Sequence, residues 1–106
     1  MSKFYKIVVF VPVDAADKVR GAITRAGGGR IGNYSGCSFS SKGIGRFKPE
    51  IGADPVIGKV GQSEKVEEER IEVRCEEAVV KDIITAIKKS HPYNEVALDV
   101  YELVDF

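Results

Sequence analysis

The 106-residue chain has no tryptophan, one histidine, one methionine, two cysteines and no net charge, sixteen Lys plus Arg balancing sixteen Asp plus Glu. Each shortage removes a class of function. A neutral chain lacks the excess of Lys and Arg that grips a phosphate backbone or an anionic membrane, so neither nucleic acid nor membrane is an expected partner. Cys37 and Cys75 lie far apart and form no CxxC pair, and His91 alone would need carboxylates or oligomer symmetry to complete a zinc site. No signal peptide is read, and no apolar run is long enough to span a bilayer, which is a cytoplasmic profile. In that setting both thiols are expected to be small buried hydrophobes in preference to a bridge.

What is present is the balance of one soluble domain spanning residues 1–106, with 43% apolar and 30% charged residues. Phe4 to Val11 is apolar on both alternating faces, predicting a central strand that Pro12 closes. Asp14 then stands where a helix cap belongs, ahead of Ala15, Ala16, Val19, Ala22, Ile23 and Ala26 at helical spacing; Gly27, Gly28 and Gly29 stop that helix. Ser35 to Ser41 reads as a weak strand. Val66 to Cys75 alternates cleanly, Ile71, Val73 and Cys75 against Arg70, Glu72 and Arg74. Glu77 to Lys89 carries a stripe of Val79, Val80, Ile83, Ile84 and Ile87, ends in basic residues that suit the helix dipole, and stops at His91 and Pro92. Val96 to Val104 alternates again.

The resulting order is βαββαβ, which predicts an α+β, ferredoxin-like domain: a four-stranded antiparallel sheet with two helices on one face. The other face would be bare. A first strand apolar on both sides would then expose a hydrophobic patch larger than soluble monomers carry, so a homo-oligomer packed through the open face or the edges is expected.

Ten of the eleven glycines fall between Gly27 and Glu64. Two stretches there and beyond, GGGRIGNYSGCSFSSKGIGRFKP with GADPVIGKVG, and HPYNEVALDVYEL from His91, resemble the insert domain of the NGG-interacting-factor-three-like family, here as a chain of its own. That domain is similar to the trimeric CutA and PII signalling proteins, so the resemblance implies a trimer. Some family members are described as homologues of a GTP cyclohydrolase and hold two metal ions in a host domain that these residues do not include. The closing motif differs from the usual one at Asn94, Val96, Leu98 and Glu102; loss of prolines at the second and fourth of these makes the last strand a more regular pairing edge.

Four constellations are candidates for chemistry. The glycine-rich run around Arg30, Gly32, Asn33, Tyr34 and Ser35 can turn backbone N–H groups toward a small anion, with Arg30, Lys42, Arg46 and Lys48 adding charge, or can simply serve a long hairpin; it matches neither a phosphate loop nor GxGxxG. The residues from about 41 to 64 form a long excursion able to close over a ligand or a partner chain, anchored by Phe47, Val56 and Ile57. The cluster of His91, Tyr93, Glu95 and Asp99 offers a divalent-metal or ligand site, with His91 and Glu95 as the metal ligands, or a general acid and base, or His91 caps its helix. Cys37 and Cys75 fall opposite each other if the hairpin turns near residue 56. Glu67, Glu68 and Glu69 read as a solvated strand edge. Together these predict a small oligomeric binding or regulatory module without a catalytic set of its own, its ligand or metal held in clefts between subunits. The alternatives are a trimerising structural domain that assembles with a partner, and a metal-dependent hydrolase acting on nucleotides or phosphoesters.

Overall fold

The computed structural model describes residues 3–106. Strand β1 (Phe4–Pro12) runs through a 3-10 turn (Val13–Ala15) into α1 (Ala16–Arg25). Next come β2 (Phe39–Phe47), β3 (Glu64–Glu76), a second 3-10 turn (Glu77–Val79), α2 (Val80–Ser90) and β4 (Leu98–Glu102). The sheet order is β2-β3-β1-β4 and every pairing is antiparallel. This is the α+β, ferredoxin-like plan that the periodicities predict.

Period two explains how the core assembles. Ile7, Val9 and Val11 of β1 and Ile71, Val73 and Cys75 of β3 share one face of the sheet, against Val19 and Ile23 of α1 and Ile83 and Ile87 of α2. Each of these large side chains stabilises the fold by about 1.5–3 kcal/mol relative to exposure. α1 ends in a Schellman motif: Gly27 at φ 103° donates to the Thr24 carbonyl and Gly28 to that of Ile23. Gly29, at φ 77°, then donates to the Arg74 carbonyl while its own carbonyl accepts from Cys37 N–H. A Cβ on Gly29 would lie 2.4 Å from the Cys37 carbonyl oxygen, so only glycine fits where the chain crosses itself.

Several expectations need correction. Asp14 makes no side-chain cap; it sits inside the first 3-10 turn, between Pro12 and Ala15. β2 starts at Phe39, not Ser35, because Gly36 at φ 67° breaks the extended path, and it continues through Gly43 and Gly45 to Phe47. The irregular excursion is therefore 48–63. β4 covers only Leu98–Glu102; Val96 packs on the core from outside the strand. The register sets Phe39 opposite Glu72, and continued two residues back it would place Cys37 opposite Arg74, one step from Cys75 and on the other face. Both cysteines are free, Cys75 in the core and Cys37 half-buried.

The open face is not bare. Arg74 stacks over the Phe4 ring at 4.3 Å and Arg70 over Phe10 at 5.8 Å, while Glu72 bridges Lys6 and Arg70, each at 3.3 Å. Val8, cross-strand from Glu72, is 1% exposed. Alternating charges on β3 thus blanket the second apolar face of β1, a cation–π use of arginine that the strand pattern alone conceals. The acidic run also lies on an interior strand, not an edge: Glu69 pairs with Arg20 at 2.6 Å.

Candidate functional site: a groove between the β2–β3 arm and the segment after α2

β1 pairs with β3 only as far as Glu68, whereas β2 accompanies β3 to Glu64. The end of the β2–β3 ribbon therefore overhangs the sheet, and residues 48–63 extend it into an arm. The arm meets the segment that follows α2: the Phe47 and Tyr93 rings stand edge-on, with centroids 6.1 Å apart and planes at 62°, and Asn94 Nδ2 donates to the Asp54 carbonyl at 3.0 Å. Between them lies a groove of about 990 Å³.

Cross-strand partners share a face, so Ser41, Gly43, Gly45 and Phe47 lie on the same side of the sheet as Glu68 and Arg70. Two of those four β2 positions have no side chain, which leaves the floor of the groove bare. Glu68 uses the space: a Cβ on Gly45 would lie 1.9 Å from Glu68 Oε1. Burial holds the Glu68 carboxyl above the usual carboxylate range, and no cation pairs with it among the described residues. The Tyr93 hydroxyl is buried with no hydrogen-bond partner among the described residues, and its phenol pKa is pushed up first by burial and then by the charges of Glu68 and Asp14.

His91 braces this corner from behind. It is 6% exposed; Nε2 lies 2.7 Å from the Phe10 carbonyl, and Nδ1 accepts the Tyr93 N–H at 3.1 Å. The second bond makes Nδ1 the lone-pair nitrogen, so Nε2 carries the proton and donates to Phe10. Burial lowers the imidazole pKa, with the Phe10 bond acting in the opposite direction. The backbone N–H of His91 does cap α2 through the Ile87 carbonyl, but the ring reaches across to β1 and not to the helix carbonyls. A metal at His91 and Glu95 would have to displace one of these ring bonds, and no three His, Cys, Asp or Glu side chains converge into a ligand set among the described residues.

The structure thus brings Tyr93 and Glu95 to one groove with the arm and places His91 behind Tyr93. Arg30, Gly32, Asn33, Tyr34 and Ser35 lie elsewhere, in an exposed turn where Ile31 and Tyr34 exchange both backbone bonds. Gly29 ties that turn to Arg74, opposite Lys6 of β1, whereas His91 binds at Phe10; the two regions are about 13 Å apart along the strand. Within one chain they do not meet. Sequence reasoning missed Glu68, Gly45 and Phe10 as groove residues. The available signal was the spacing of Gly43 and Gly45, which in a strand strips one face of side chains.

No protein-family model matches the chain. Over 101 residues it is 54% identical to a GTP cyclohydrolase 1 type 2 homolog of Halalkalibacterium halodurans, covering 95% of this chain and 27% of that protein. The Bacillus subtilis protein of the same description is 52% identical over 96 residues, covering 91% and 26%. The chain therefore spans about a quarter of the length of these relatives. Among solved structures, a Bacillus cereus protein related to NIF3 superposes with TM-score 0.86 at 47% identity, over 98% of this chain and 26% of that one. CutA from Xylella fastidiosa superposes with TM-score 0.72 at 14% identity, over 99% and 88%, a likeness of fold.

Proposed function

Because the chain is a relative of one domain of the NIF3-related GTP cyclohydrolase 1 type 2 homologs, we propose that it is a self-associating binding module whose ligand sits in the groove beside the arm. One observation carries this reading: the arm holds aliphatic side chains out into solvent while enclosing a groove of ligand size. Ile51 is 97% exposed and Val56 61% exposed, with Ile44, Ile57 and Val60 also open. Soluble monomers seldom display such a cluster, and a second copy lying against the arm would cover it and close the groove at the same time. A closed trimer is the proposed assembly, as the resemblance to CutA and PII implies. The relatives' name makes a cyclohydrolase reaction a proposal for the longer proteins; the side chains of this domain support binding.

Light scattering at micromolar concentration tests the reading. The expected mass is a small multiple of one chain, falling to a single chain in the Ile51→Lys, Val56→Lys double variant. A single-chain mass for the unaltered protein overturns it.

A further inference from the structure

We propose that the corner of the groove formed by Glu68, Phe47 and Tyr93 is a binding site for a small organic cation, an alkylammonium or protonated amine. The proposal rests on the reading of the groove as a ligand site and adds the charge and chemical class of the ligand.

Three neighbouring carboxylates of β3 make the contrast. Glu69 has Arg20 at 2.6 Å, and Glu72 has both Lys6 and Arg70 at 3.3 Å. Glu68 has no cation among the described residues, although it is only partly exposed and its carboxylate lies over the bare backbone of Gly45. The basic groups at the rim are committed: Arg70 to Glu72 and the Phe10 ring, and Lys48 to Glu50 at 3.5 Å. Lys42 and Arg46 also border the groove, from the alternate positions of β2, and neither forms an ion pair with Glu68 among the described residues. A half-buried carboxylate without a partner is a deficit that a bound cation removes.

The surroundings suit that ligand. The Tyr93 ring lines the groove with its hydroxyl sealed from water and unpartnered among the described residues, and both charges that act on that phenol, Glu68 and Asp14, are negative. An anion at this corner would meet the same two carboxylates. The Phe47 and Tyr93 rings, 6.1 Å apart and inclined at 62°, present π surface to the methylene or methyl groups next to a cationic nitrogen. The Glu68 carboxylate and two inclined rings form a site for an ammonium with a short apolar tail.

The test is an amide NMR titration of the full chain with n-butylammonium, n-butanol and butyrate at matched ionic strength, repeated in Glu68→Gln and Gly45→Ala. The added methyl in Gly45→Ala evicts the Glu68 carboxylate without removing it. The expected result is saturable shifts at Gly45, Glu68 and Tyr93, with butylammonium binding at least about tenfold tighter than butanol and that margin lost in both variants. Equal binding of butylammonium and butanol, or a preference for butyrate, overturns the cation assignment while leaving the groove a ligand site. No saturable shift with any of the three, in protein whose mass shows it assembled, overturns the cation site and the ligand role of the groove together.

Discussion

His91 joins three parts of the molecule: its backbone N–H caps α2, and its ring meets the Phe10 carbonyl of β1 and the Tyr93 amide at the groove wall. Protonating Nδ1 removes its lone pair and breaks the bond from Tyr93. Because burial depresses the folded-state pKa of His91, the unfolded chain takes up the proton first. The contribution of His91 to stability is therefore full above the unfolded value of about 6.5 and is lost as pH falls from there toward the depressed folded value. Glu68 acts with the opposite sign, since its raised pKa favours the folded state as pH falls. The two separate in a difference experiment: the thermal midpoint of the unaltered protein minus that of His91→Gln is expected to shrink between pH 7 and pH 5. A difference independent of pH would mean that the ring does not titrate in folding. The helix stop at His91-Pro92 is legible in the sequence. The Phe10 carbonyl is not, because it belongs to a strand at the far end of the chain and is met only after folding.

At the scale of elements, legibility follows side-chain periodicity. β1, α1, β3 and α2 each repeat apolar residues at the period of their structure, and their predicted positions hold to within a few residues. β2 starts later than expected because its pattern misleads in two ways: Cys37 carries the alternation of Phe39 back beyond the start of the strand, while Gly43 and Gly45 hide the strand that forms. Glycine is poor in strands unless something lies against it, and here the Glu68 carboxylate does. Arg20 is the clasp between layers. From α1 it donates to Glu69 of β3 at 2.6 Å, to Ser40 of β2 at 3.0 Å and to Asp17 of its own helix. The Glu69 side chain is 12% exposed, so removing its partner strands a nearly buried charge. Arg20→Met is expected to cost about 1–3 kcal/mol in urea unfolding. A cycle with Glu69→Gln should give a coupling of at least about 1 kcal/mol, whereas no coupling would identify a merely solvated pair.

On the scale of the whole molecule, the core and the arm are separable. None of residues 48–63 enters the core cluster, and Phe47 and Glu64 already face each other as the last pair of the ribbon. Replacing 48–63 by an Asn-Gly turn should leave the thermal midpoint of the core within about 3 °C, while the mass falls to one chain and the groove opens. Collapse of the helical circular dichroism would show instead that the arm supports the fold. The sheet's open face teaches the limit of pattern reading at this scale. An apolar strand predicts a sticky surface only if its neighbours do not cover it, and whether Arg70 and Arg74 lie over Phe10 and Phe4 depends on register, which no single segment encodes. Register also sets the timetable of folding. The β2–β3 ribbon closes on itself, but β1 pairs with β3 across much of the sequence and with β4 across nearly all of it, Tyr5 meeting Glu102. The most apolar strand thus gains its second neighbour only from the last of the four. Until residue 102 has left the ribosome, β1 lacks one of its neighbours, so an apolar edge of the nascent sheet stays open to aggregation until the last strand arrives.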